Sequence, residues 1–145
     1  MTRLQRGGED RGALSLELAV LFPVLLVLLA LVVVAHRVSQ AGIVVDSAAR
    51  AAARAASLER DGATARSKAV AVANSTLADQ GIRCVSSSVD VPTGGFQAPL
   101  GTPATVTVTV VCNVNLSDAA FPGAPGTKTL RSSFSSPIDP YRQRS

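Results

Sequence analysis

Apolar residues fill positions 13–35 almost without interruption, with Glu17 the only charge and Pro23 the only residue unsuited to a helix interior. At about 1.5 Å of rise per residue this stretch is about 34 Å long, enough to cross a hydrocarbon core of about 30 Å with some tilt. It predicts a membrane-spanning helix. The alternative is a helix buried in a soluble protein, but one apolar on every side needs a large surrounding core. A chain of 145 residues with four Phe and no Trp has little from which to build one.

The helical pattern runs on after the apolar run. Residues 36–57 contain no Pro and only Gly42, and 46–56 are rich in Ala, the strongest helix former. Asp46, Arg50 and Arg54 fall on one face with an acid-to-base pair at i, i+4, while Val44, Ala48, Ala51, Ala55 and Leu58 make the opposite face. The ordinary reading of Arg50 and Arg54 is a solvated charged stripe. Asp61 and Gly62 break this stem. Residues 63–80 predict a second helix with Ala65, Ala69, Val72, Ala73, Thr76 and Leu77 on one side, closed by Gly81 with Ile82 as the following apolar contact.

Beyond Gly81 the period changes to two. Residues 104–116 alternate Val106, Val108, Val110, Cys112 and Val114 with Thr105, Thr107 and Thr109, as a half-buried antiparallel strand does. Residues 82–91 make a rougher strand, in which Val85, Val89 and Val91 share a face that Cys84 does not, so a bulge is expected. A third strand is predicted over 127–135, with Leu130 and Phe134 inward. The Pro- and Gly-rich stretches 92–103 and 117–126 read as loops. The fold class that follows is α+β: a long N-terminal transmembrane helix and stem, a second helix, and a small three-stranded antiparallel sheet.

Residues 1–12 are polar and without periodicity, and are expected to be disordered. Arg3, Arg6 and Arg11 precede the span and Arg37 and Arg50 follow it, which by the positive-inside rule favours a cytoplasmic N-terminus narrowly. A secretory signal with cleavage after Ser39-Gln40-Ala41 is the rival. The apolar run is longer than a signal core of about 7 to 15 residues, which favours a retained anchor.

The junction between leader and span carries more detail. Arg11-Gly12-Ala13-Leu14-Ser15-Leu16-Glu17 sets a basic residue and a Gly before the apolar run and a carboxylate on the fifth residue after the Gly. This spacing resembles a prepilin leader. The resemblance implies cleavage between Gly12 and Ala13 by a prepilin peptidase, and an assembly role for Glu17. A structural alternative for Glu17 is a carboxylate at the positive end of a helix dipole. Together with Ala-Ala-Arg-Ala-Ala-Ala-Arg-Ala-Ala at 48–56, the segment 11–57 resembles the TadE-like family, pseudopilin-like membrane proteins of the tight-adherence (Flp) pilus machinery. It departs from that pattern at Leu18, where an aromatic is common, and at 35–39, where an aromatic, Gly-rich segment often closes the span.

Charge and cysteine content narrow the chemistry. The net charge of +4 and pI near 9.8 come without a basic block, and aromatic residues make up only 3%, so a nucleic-acid partner is not expected. Two Cys and one His are too few for a zinc site, which wants four ligands. A disulfide between Cys84 and Cys112 accounts for the pair better than two buried free thiols, provided the domain lies outside the cytoplasm. No nucleophile elbow, phosphate-binding loop or catalytic cluster around His36 is present in the sequence, so neither catalysis nor a cofactor is expected.

The expected organisation is a cytoplasmic leader (1–12), a span (13–35), a helical stem (36–60), an extracytoplasmic α+β domain (61–136) and a tail (137–145). The expected function is structural: a pilin-like subunit in the cell membrane whose partners are other pilin or pseudopilin subunits, the pilus assembly platform and the prepilin peptidase. The competing function is an anchored extracytoplasmic binding module using the loops around Gly94-Gly95-Phe96 and Phe121-Pro122.

Overall fold

A long helix, α1 (Glu9–Ser57), carries the apolar run and the stem as one unbroken element. It is seen in a computed structural model that describes residues 9–119 and 126–141. The helix is described from Glu9, inside the segment expected to be disordered, and residues 1–8 lie outside the described ones. Pro23 lies within the helix. It can donate no bond to the carbonyl of Ala19, a loss that neighbouring helices or local backbone adjustment can compensate in a membrane.

The stem half of α1 is the axis of the folded head, packing against a second helix and two strands. Its buried sector comprises Ala41, Val45, Ala48, Ala49, Ala52, Ala53 and Ala56. This is wider than the stripe expected from the sequence and rotated from it: Ala51 and Ala55 are half-buried, and Leu58, just past the helix end, is 59% exposed. A helix contacted by both α2 and the sheet buries more than one stripe. Ala on both flanks makes that possible, because only a methyl group separates neighbouring backbones.

The stem ends with 3-10-like bonds from Leu58 N–H to Ala55 O and from Glu59 N–H to Ala56 O. Asp61 then caps α2 (Gly62–Asp79), its extended backbone placing Oδ1 2.8 Å from the Thr64 N–H. The buried face of α2 is Ala65, Ala69, Ala73 and Leu77, one residue per turn. Gly81, at φ 72°, closes the helix: its N–H reaches Ala78 O at 2.9 Å and the Ile82 N–H reaches Leu77 O at 3.0 Å. This paired closure needs the left-handed conformation that Gly adopts without strain.

The sheet has three antiparallel strands in the order β1 (Cys84–Asp90), β2 (Ala104–Asn115), β3 (Thr127–Ile138). Central β2 alternates as its sequence predicts, burying Val106, Val108, Val110, Cys112 and Val114. The register of β1 shifts between Cys84 and Ser86, so that Cys84 pairs with Val114 while Ser86 pairs with Asn113. This bulge corrects the face expected for Val85: the extra residue reverses the alternation, turning Cys84 to the buried side and leaving Val85 67% exposed.

Strand β3 runs past the expected end at Ser135 to Ile138, so Pro137 and Ile138, expected in the tail, belong to the sheet. Pro is compatible with an edge strand, whose outer N–H groups have no ladder partner, and Ile138 is buried in the core. On the outer face Thr107 and Ser135 hydroxyls meet at 2.7 Å, and Asn113 Nδ2 donates to Ser86 Oγ at 2.8 Å. That face is a polar surface one hydroxyl deep.

Both stretches expected as loops contain a helical turn. In the β1–β2 connection it is a 3-10 helix (Gly94–Gln97), and after β2 it is α3 (Leu116–Ala119). Gly95 is packed so closely on β2 that a Cβ there would lie 2.5 Å from the Thr105 carbonyl oxygen. The chain thus adopts the α+β fold expected of it, with a long N-terminal helix, a second helix and a three-stranded antiparallel sheet.

Candidate functional site

Gly12 and Ala13 lie in the first turns of α1, and Glu17 stands one helical turn beyond Ala13. Glu17 is exposed and borders the apolar run. An 18-residue window of that run reaches a mean hydropathy of 3.2, and none of it is buried against the rest of the chain. Leu18, Leu21, Phe22, Leu25, Leu28 and Leu29 all project outward. A face this apolar on every side is suited to lipid or to other apolar helices, not to water. By length and composition, α1 is therefore able to cross a membrane.

Within the head, β1 and β2 are closed covalently. Cys84 and Cys112 form a disulfide, their Cα atoms 5.4 Å apart and 28 residues apart in sequence. The bulge at Val85 is what makes this bond possible, because it brings Cys84 onto the buried side that β2 gives Cys112. A loop of this length implies a stabilisation of about 3 to 4 kcal/mol in the chain-entropy account. It joins β1, the shortest strand, to the centre of the sheet.

Further along the stem, the Asp46–Arg50 pair expected from the sequence makes a contact with β3 that the sequence did not show. The stem pair Asp46–Arg50 closes at 2.8 Å. Asp46 Oδ1 also accepts from Ser132 Oγ of β3 at 2.8 Å, and the Arg50 guanidinium lies 5.3 Å from the centre of the Phe134 ring. The Ser132 hydroxyl and then the Arg50 side chain hold the Asp46 carboxyl below its ordinary value. The charged face of the stem is thus partly a docking face for β3. Deeper in, Ser136 Oγ donates to Ser57 Oγ at 3.0 Å, tying the last turn of α1 to the same strand. Phe134, expected inward, is instead 36% exposed, its ring meeting Arg50 of a helix distant in sequence.

The loops assigned to a binding module fare differently. Phe96 is turned into the core at 7% exposure, which corrects the expectation that Gly94-Gly95-Phe96 offers an aromatic contact. Phe121 and Pro122 lie outside the described residues. Among the described residues no group of His, Cys, Asp and Glu is placed to hold a metal ion, and His36 is exposed where the apolar run meets the stem.

Residues 12–54 match the family model described as TadE-like protein. No curated protein and no solved structure matches the chain. The match begins at Gly12, runs through the whole apolar segment and stops inside the Ala-rich stem, before α2 and the sheet. It falls on the same anchor and stem whose sequence carries the resemblance, and over that stretch the chain is similar to TadE-like proteins.

Proposed function

We propose that the chain is a membrane-anchored, pseudopilin-like structural subunit that takes part in assembling a Flp-type pilus or secretion filament, and that it has no enzymatic activity. One observation supports this most directly: the segment matching the TadE-like model is a single helix that is exposed and predominantly apolar over residues 17–33 and whose second half is the axis of the head. Such a helix can lie in a bilayer and later pack among like helices without refolding the head. In this reading the N-terminus is cytoplasmic and the head lies outside, where a disulfide persists.

The leader and Glu17 then have defined roles. Cleavage of the Gly12–Ala13 bond by a prepilin peptidase gives Ala13 a free amine at the edge of an apolar environment, where an isolated charge is costly. Glu17, one turn away, is placed to pair with that amine or with a neighbouring subunit's. Its partners are other pilin or pseudopilin helices, the assembly platform and the peptidase.

Intact-mass analysis of the protein from a host with active peptidase tests the cleavage. A chain beginning at Ala13 is expected, and Gly12→Leu should leave the full-length chain. Glu17→Ala should insert in the membrane normally yet enter filaments poorly. Only full-length chain from the parent protein would reduce the molecule to an anchored domain, and wild-type assembly by Glu17→Ala would return the carboxylate to a helix-end charge.

A further inference from the structure

Where the apolar run ends and the head begins there is an open pocket of about 480 Å³, within the size range of small-molecule sites. Helix α1 lines one side with His36, Arg37 and Gln40, and the segment leaving α2 lines the other with Gln80 and Arg83. Val44 and Ile82 supply an apolar part. Both arginines are exposed, and the ion pair found among the described residues, Asp46–Arg50, involves neither of them. The pocket is therefore positively charged and uncompensated.

Two features limit the repulsion an anion would meet there. The carbonyls at the C-terminus of α2, which would repel one, are already engaged: Thr76 O and Ala78 O accept from Gln80 and Gly81, and Leu77 O from Ile82. Asp79, on the same turn, is not part of the lining. Two arginines and two glutamines thus line the pocket, and a guanidinium's planar fork of N–H donors matches phosphate oxygens.

The pocket's height selects the source of that phosphate. Arg37 and Gln40 follow the end of the apolar run at Ala35 by about 3 to 8 Å along the helix. The headgroup layer on each side of a hydrocarbon core is about 5 to 7 Å deep. We propose that this pocket binds the phosphodiester headgroup of an anionic glycerophospholipid in the leaflet beneath the head, with Arg37 and Arg83 gripping the phosphate. The site sets the depth and rotation of the head on the membrane. It rests on the reading of α1 as a membrane anchor.

The test uses the full chain reconstituted in phosphatidylcholine nanodiscs with and without phosphatidylglycerol, with bound lipid counted by native mass spectrometry. One phosphatidylglycerol retained per protein, saturably, is expected. Arg37→Gln and Arg83→Gln should each weaken retention about five-fold, and the pair about 25-fold. Arg54→Gln, on the stem away from the pocket, should not. Equal retention of both lipids by the parent protein would overturn the proposal without any variant, as would unchanged retention by the folded double variant. Displacement of the lipid by millimolar inorganic phosphate would show a free-anion site and not a headgroup site. Failure of the chain to enter the discs would instead remove the anchor reading on which the site depends.

Discussion

The carboxylate of Asp46 accepts bonds from the Ser132 hydroxyl and the Arg50 guanidinium, and both favour its ionised form. Its value in the folded protein lies below the ordinary 3.8, so its contribution to stability is complete well above that pH and disappears as pH falls through the lowered value. Asp61 behaves in the same sense, held down first by the backbone N–H of Thr64 that it caps. Asp46→Asn is therefore expected to lower the melting temperature of the detergent-solubilised protein at pH 6 to 7, with the difference from the parent shrinking below about pH 4 as the parent carboxyl protonates. Melting curves across this pH range check it; a difference that stays constant with pH would assign the loss to packing. The exposure of the group keeps the effect small and salt-sensitive.

At the scale of elements, the pairing of α1 with α2 depends on side chains too small to hold the helices apart. Ala69 sits at the middle of the buried face of α2 and is fully buried. Ala69→Leu adds three carbons to a site without room and is expected to cost about 1 to 3 kcal/mol. Ala71→Leu, on the exposed side, should cost little. Chemical unfolding of both variants separates overpacking from a change in helix propensity. The helices were legible in the sequence because their signals are local: an apolar run of fixed length, an Asp-Gly break, a Gly after the last turn. Strand β2 was legible for the same reason, since strict alternation needs no knowledge of its neighbours. Val85, the width of the stem's buried sector and the end of β3 were not, because each is decided by a partner elsewhere in the chain. Asp46 and Ser132, 86 residues apart, show the same limit in the polar contacts. Gly12, Ala13 and Glu17 were visible as a motif, whereas the basic pocket joins segments that no local pattern links.

For the whole molecule, the side of the membrane on which the head lies decides what it can meet. The arginines before the span and the disulfide in the head both favour an outer location. Protease added to intact spheroplasts is expected to remove a tag placed at the C-terminus, and full protection of that tag would reverse the orientation. The unbroken course of α1 has a mechanical consequence. No hinge separates the apolar run from the stem, so the head cannot reorient independently of the span. Ser57 stands about 33 Å above Ala35 along the helix. A tilt of about 20°, ordinary for a single span, moves that point sideways by about 11 Å. The helix is thus a lever: a thinner bilayer, which increases tilt, swings the head through a distance comparable to a helix diameter, and local membrane thickness sets where the head is presented to the next subunit.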